Sequence, residues 1–412
     1  MQTAAAISPV EEQESVQPHE RIGTGPPEEV PVKELSVDVV RDYESFVALK
    51  SVWNRLVTEA GIDHPFIRHE WVRTWWECFE HHGTLHILVV REGSEPIAIA
   101  PLMLDHGRLF GCPVRRLRGI ANVYTERFDI ILTRRAEEAS RAIWNCLAAD
   151  SSAWDLLELR QIPNGARGVE HLRFWAFESN FLLGQWHSSD GPFIPVDRPW
   201  EAYAKTLSKK HLSNLRGRTK GLNRIGEVQH EIVTGGEHLK RALDEAFLLE
   251  AAAWKGKAGT AIMNRGDRLA FYRTLLTRAS EAGWLQLHFL AVSGKRIAVQ
   301  ITLLVQNKLY ILKSGYDPHF APFAPSLLLC ELMLRDAWKR GLAEVDFLGN
   351  SERWKLEWAH ESRPHSWIFI FPNRPPLRLL HRLKFSVLPR LQKYAAYRFL
   401  RSGICGLKVN ED

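Results

Sequence analysis

Gly83-Thr-Leu-His-Ile-Leu-Val-Val-Arg-Glu-Gly-Ser-Glu-Pro-Ile97-Ala98 returns two hundred residues later as Gly283-Trp-Leu-Gln-Leu-His-Phe-Leu-Ala-Val-Ser-Gly-Lys-Arg-Ile297-Ala298. Each copy reads as a helix end, an apolar strand, a tight polar turn and a second apolar strand. The correspondence reaches upstream, where Arg73 and Thr74 stand opposite Arg273 and Thr274, and Leu49 with Trp53 falls near Leu249 with Trp254. Solenoid repeats have periods of roughly 20–50 residues, far shorter than this one. The chain is therefore expected to use one α/β module twice.

Bulk properties fit two modules. The 412 residues are 45% hydrophobic, enough for real cores, and 54 Lys and Arg against 48 Asp and Glu leave a net charge of +6 that permits anionic ligands without naming them. The five cysteines, Cys78, Cys112, Cys146, Cys330 and Cys405, form no Cys-x-x-Cys pair, which argues against zinc and redox chemistry. His82 and His86 lack a third ligand, and no metal is expected. The N-terminus lacks a signal-peptide layout, and no run of about 18 apolar residues could span a bilayer. A cytoplasmic location follows as the expectation.

Residues 1–33 hold five prolines and six glutamates with few large apolar residues, so they are expected to form a disordered tail. The first module is placed at 34–192, with helices near Tyr43–Ala60, His69–His81 and Glu137–Ala149 and strands near Leu85–Arg91, Pro96–Leu104 and Trp154–Leu159. The stretch Tyr124–Ile131 reads as irregular. The second module is placed at 193–373. Its helices are expected near Trp200–Ile225, Gly236–Trp254, Asp267–Ala282 and Pro325–Arg340. Its strands are expected near Leu285–Val292, Arg296–Gln306, Lys308–Ser314, Ala343–Leu348 and Ser366–Phe371. Segment 374–412 carries nine Lys or Arg and no acid between Arg374 and Lys408, interleaved with apolar residues. It reads as a basic amphipathic element, either packed with a solvated face or placed on a membrane surface or polyanion.

Chemistry concentrates between Tyr310 and Lys355. There a strand feeds the loop Gly315–Ala324, which opens a helix at Pro325 and Ser326, and a helix start offers free amides to an anion. Proline suits the first helical position because its missing N–H would be unpaired anyway. Asp346 lies in an otherwise apolar strand, so burial must raise its pKa or pair it with a cation such as Lys355. The roles open to it are general base, orienter of Lys355 and structural salt bridge. A second cluster, Lys205, Lys209, Lys210, Arg216, Arg218, Lys220 and Arg224, has no acid among it and is either a solvated face or a phosphate-binding one. Trp254 and Lys255 end a helix at the edge of an expected cleft.

Three segments together resemble the GNAT-like acyltransferases of the CelD type, which carry a BioF-like acetyltransferase domain and are related to the FemABX peptidyltransferases. They are His69-Glu-Trp71-Val-Arg-Thr-Trp75-Trp76-Glu-Cys-Phe79 with Ile97-Ala-Ile-Ala-Pro101, then Leu207-Ser-Lys-Lys with Leu215-Arg-Gly-Arg-Thr-Lys, and Gly315-Tyr316-Asp317 with Ala324-Pro325-Ser326, Gly341, Asp346-Phe347, Gly349 and Lys355-Leu-Glu-Trp358. The resemblance implies an α/β (α+β) architecture built as a tandem duplication of the GNAT fold, with mixed central sheets flanked by helices. It implies acetyl-CoA or another acyl-CoA as donor, its pyrophosphate held at Phe323, Ala324, Pro325, Ser326 and Leu327. Asp346 and Lys355 are the expected catalytic residues and Tyr316, Asp317, Trp254 and Lys255 the expected substrate contacts, and the resemblance further implies an acceptor drawn from the cell envelope or an exopolysaccharide. Two departures stand out: the Arg/Gln-x-x-Gly-x-Gly/Ala start of ordinary GNAT domains is absent, and Ala324-Pro325-Ser326 replaces Ser-Pro-Gly. An aminoacyl-tRNA-dependent transferase of the FemABX kind and a non-catalytic degenerate GNAT pair are the alternatives. The second copy keeps the Pro-Ser helix start, Gly349-Asn350 and Lys355, which the first lacks, so it is expected to be the catalytic one.

Overall fold

The computed structural model describes residues 34–80, 82–252, 259 and 261–391. The tail at 1–33, Trp254, Lys255 and 392–412 lie outside the described residues. The strands are β1 (Leu35–Val40), β2 (Thr84–Glu92), β3 (Glu95–Leu109), β4 (Cys112–Gly119), β5 (Ile131–Leu132), β6 (Leu156–Pro163), β7 (Leu182–Pro195), β8 (Val228–Val233), β9 (Leu285–Val292), β10 (Lys295–Val305), β11 (Lys308–Tyr316), β12 (Glu344–Asp346) and β13 (Glu361–Phe371). The helices are α1 (Tyr43–Ala48), α2 (Lys50–Glu59), α3 (His69–Phe79), α4 (Ala136–Ala149), α5 (Arg167–Glu178), α6 (Trp200–Ala204), α7 (Lys209–Asn223), α8 (Leu239–Ala252), α9 (Gly266–Glu281), α10 (Pro325–Lys339), α11 (Arg353–Leu356), α12 (Pro375–Arg382) and α13 (Leu388–Leu391).

The repeated sequence builds two hairpins with the same irregularity at the same place. In β2–β3, Val90 faces Ala98 and Arg91 faces Pro96, so Ile97 is an extra residue. In β9–β10, Leu290 faces Ala298 and Ala291 faces Arg296, so Ile297 is the extra one. A bulge sets local twist and the direction of the strand beyond it. Both halves therefore begin their sheets with the same geometry.

All strands but β5 lie in one path, ordered β1-β2-β3-β4-β6-β13-β7-β12-β11-β10-β9-β8. Reading inward from both ends pairs β1 with β8, β2 with β9, β3 with β10, β4 with β11 and β6 with β12. Each half contains one parallel step, Arg116–Arg118 beside Leu156–Glu158 and Lys308–Tyr310 beside Glu344–Asp346. The two central strands are exchanged, because β13 from the end of the chain pairs with β6 while β7 pairs with β12. The 192/193 boundary expected from sequence thus falls inside β7, and the described residues from Leu35 to Leu391 form one compact unit. The repeated helices also meet: Arg278 of α9 donates to Thr74 Oγ1 at 2.8 Å and to Glu77 of α3 at 3.0 Å.

Two expected helices are broken by local chemistry. Trp200–Ile225 divides at Lys205–Ser208, where the Ser208 hydroxyl accepts from the His211 amide at 3.1 Å and starts α7 afresh. Tyr43–Ala60 divides at Leu49. Strands β1, β4, β7 and β8 and helix α5 add to the expected set.

Candidate functional site

The two halves differ where their parallel strands part. After Tyr310 pairs with Asp346, β11 continues to Tyr316 with no partner on its β12 side. In the first half β4 ends at Gly119, one residue past its last pair with β6. That place is filled: the Phe128 ring lies against Gly119, where a Cβ would stand 2.5 Å from it, and only about 30 Å³ remains among Arg118, Gly119, Phe128 and Glu158. The two halves thus differ at this seam between parting strands: Phe128 closes the first over Gly119, whereas in the second β11 runs on for six residues beyond its last pair with β12.

A second bulge shapes that seam. Ile301 faces Lys313 but Thr302 faces Ile311, so Leu312 is the extra residue of β11. Strict alternation would send Lys313 to the α10 face, which Ile311 occupies. With the bulge, Lys313 shares the face of Tyr310 and Leu312, and its ammonium lies 5.8 Å from the Tyr124 ring and 5.6 Å from the Tyr272 ring. Beyond it, Gly315 passes so close to α8 that a Cβ would stand 2.3 Å from the Glu250 Cα. Glycine in this segment is a packing requirement.

The irregular stretch 121–130 crosses from the first half into this seam. Arg268 of α9 donates to the Tyr124 hydroxyl at 2.7 Å. The Glu126 carboxylate, half-buried, lies near the Gly349 backbone and faces Lys313 and Lys355. Burial pushes its pKa up, against the opposing pull of the two lysines. Arg127 is buried over the Tyr310 ring at 5.6 Å and donates to Asp346 Oδ2.

Asp346 is fully buried, and each carboxylate oxygen is engaged. Arg363 joins Arg127 on Oδ2 at 3.0 Å, and the Leu348 amide donates to Oδ1 at 2.8 Å. The cation paired with Asp346 is therefore arginine, twice, where Lys355 was expected. Lys355 instead donates to the Leu348 carbonyl at 2.8 Å and the Asn350 carbonyl at 3.1 Å, and burial lowers its pKa. These bonds hold a strained turn, with φ of 55° at Leu348 and 60° at Gly349. Left-handed backbone is costly for leucine. Asp346 and Lys355 hold it from two sides.

The expected pyrophosphate cradle is sparse. Ala324 caps α10 in the left-handed region at φ 46°, Pro325 has no N–H, and the Ala324, Leu327 and Leu328 amides already bond to Ala321 and Ala324 carbonyls. Ser326 retains an amide without a partner at the helix start; Phe323 packs toward Gly221 of α7. Asp317 turns away from the seam: it caps the next turn at the His319 amide and pairs with Lys295 at 2.8 Å. Burial opposes its ionisation, but Lys295 and His319 bring its pKa down to about 2. Tyr316 packs with the apolar cluster under α10. None of Lys205, Lys209, Lys210, Arg216, Arg218, Lys220 and Arg224 forms an ion pair among the described residues. Among those residues, no group of three or more His, Cys, Asp or Glu could hold a metal ion.

Sequence reading missed Glu126, Lys313 and Tyr272 as members of one cluster. Its signal was faint: a polar, irregular stretch between two apolar strands, whose destination depends on contacts 144 to 219 residues away.

Residues 209–356 match the family model described as an acetyltransferase (GNAT) domain. A search of the curated proteins finds no match. Among solved structures the chain is similar to FemX, at 11% identity and a TM-score of 0.55, with 84% of this chain and 100% of that one covered. It is also similar to L-PGS from Bacillus licheniformis, at 12% identity and a TM-score of 0.48 over 83% and 97% of the two chains. A tandem GNAT protein from the clavulanic acid biosynthesis pathway matches at 12% identity and a TM-score of 0.43 over 83% and 100%. The likeness to FemX shows the fold: a large mixed sheet flanked by helices, of GNAT type.

Proposed function

We propose that the protein is an acyltransferase whose acyl donor enters the seam between β11 and β12 and whose acceptor approaches from the 124–127 side. The observation that carries this is the asymmetry of the halves: Phe128 fills the place where the first pair of parallel strands parts, while the second pair parts beside the charged cluster of Glu126, Lys313 and Lys355. A thioester, most simply acetyl-CoA or another acyl-CoA, suits a GNAT domain at 209–356.

Glu126 is the residue proposed as general base. A carboxylate with a raised pKa removes a proton from an amine or hydroxyl better than an ordinary one. The acceptor then attacks the thioester carbonyl, the new C–N or C–O bond forms, and the C–S bond breaks. The proton passes from Glu126 to solvent or to the departing thiolate. Leu312 stands outside the β10 ladder with no β12 partner, so its amide is the donor proposed for the tetrahedral oxyanion. Asp346 and Lys355 act through position, by fixing the Leu348–Gly349 turn beside Glu126. Ser326 offers one amide to the donor's phosphates.

An acceptor from the cell envelope or an exopolysaccharide rests on the resemblance of the three sequence segments to CelD-type proteins. The unpaired cations of 205–224 favour a second reading, an aminoacyl-tRNA donor. Thiol release from acetyl-CoA with a panel of amines and amino sugars tests the first. Turnover by wild type and its loss in Glu126→Gln supports it; turnover undiminished in that variant removes Glu126 from the mechanism. Tight tRNA binding that collapses with salt, alongside indifference to coenzyme A, would replace the first reading by the second.

A further inference from the structure

The C-terminal helices present a face that the acyl-transfer site does not use. Leu377 and Leu380 of α12 are buried against β13 and β7 together with Phe369 and Phe371. Arg374 donates to Asp155, and His381 Nε2 bonds the Leu183 carbonyl at 2.8 Å. The Lys384 ammonium sits inside an aromatic box, 3.8 Å from the Trp186 ring and 4.3 Å from Phe369. The segment is thus fastened along its inner side. Its outer side is then fixed in place.

That outer side alternates cations and aliphatics. Leu379 is 60% exposed, Val387 42% and Leu391 44%. Arg378, Arg382 and Arg390 lie exposed beside them, and none of these arginines pairs with a carboxylate among the described residues. Water is a poor neighbour for three aliphatic side chains exposed along one short helical run. The sequence beyond adds Lys393, Arg398, Arg401 and Lys408 before any acid.

We propose that this stripe seats the protein on an anionic lipid surface, with Leu379, Val387 and Leu391 entering the headgroup boundary and the arginines meeting lipid phosphates. A nucleic acid would satisfy the cations but leave the aliphatic side chains in water. A bilayer satisfies both. The inference stands independently of the acyl-transfer reading, since none of its residues belongs to the seam.

The test is vesicle flotation of the full chain with phosphatidylcholine alone and with added phosphatidylglycerol, at low and physiological salt. Wild type is expected to float with the anionic vesicles and to release with salt. Leu379→Glu/Val387→Glu/Leu391→Glu, all at exposed positions, is expected to lose at least tenfold in partition with an unchanged thermal transition. Arg378→Gln/Arg382→Gln/Arg390→Gln is expected to lose roughly a hundredfold, at about a factor of five for each charge near the surface. Equal flotation of the triple-glutamate variant, failure of wild type to float on anionic vesicles, or retention by RNA but not by lipid would each overturn the proposal.

Discussion

Asp346→Asn isolates the contact that joins the two halves. Wild-type Asp346 is fully buried and neutralises Arg127, whose side chain is 3% exposed, and Arg363, whose side chain is 23% exposed. Asparagine keeps an oxygen for the Leu348 amide but removes the charge. Arg363 still has Glu344, at 3.1 Å, so the damage falls on Arg127. Breaking a buried ion pair by removing one partner costs about 3–5 kcal/mol, and the retained amide hydrogen bond argues for the lower end, about 3 kcal/mol. Urea unfolding followed by tryptophan fluorescence and circular dichroism should show a lower midpoint with an unchanged slope. Replacing both charges, Arg127→Met with Asp346→Leu, should return most of that loss, because an apolar pair avoids the desolvation of two ions. An Asp346→Asn loss below about 1 kcal/mol, or a double variant as unstable as the sum of the singles, would refute the reasoning.

Three further outcomes follow from named groups. Glu126→Gln should lower the rate by about 10²–10⁴-fold. Wild-type rate should fall with falling pH through a limb displaced above the usual carboxylate range, since the base works deprotonated and its pKa is raised; the limb should vanish in the variant and persist in Asp346→Asn. Asp129, whose Oδ1 accepts from the Ile130 and Val169 amides at 2.8 and 3.0 Å, is pushed by burial to about 7. The folded state therefore holds a proton that the unfolded state has lost between about pH 4 and 7, so stability falls as pH rises through that window. Asp129→Asn keeps the accepting oxygen and should flatten the dependence, by at most about 4 kcal/mol at pH 8 in equilibrium unfolding. Gly315→Ala should destabilise by about 1–3 kcal/mol or more, because α8 backbone occupies the space of the new methyl; a melting temperature equal to wild type would show that α8 yields.

The repeat was legible because two continuous apolar runs joined by a tight polar turn mark a buried hairpin wherever they occur, and β2–β3 and β9–β10 both show them. The edge strands were not. Leu35–Val40 and Val228–Val233 mix polar and apolar residues over six positions and pair on one side only, so they offer little pattern. The exchange of β7 and β13 is decided by distant pairings such as Leu159 with Ile368 and Ile194 with Val345, which no local window contains. Within the site, Asp346 stood out as a charge in an apolar strand and Lys355 as a cation a few residues beyond it, and both are buried. Their partners were illegible: Arg127 reaches Asp346 across 219 residues, and Glu126 looked like any polar loop residue. The Leu312 bulge that turns Lys313 toward the seam leaves no mark in the alternation of β11.

Hydrogen exchange on the full chain, with and without acetyl-CoA, bears most directly on the claim that the second half alone holds the donor. Slowed exchange at 311–316 and 347–350 with no change at 116–119 and 158–160 is the predicted result. Protection in the first half instead, or in neither, would contradict it.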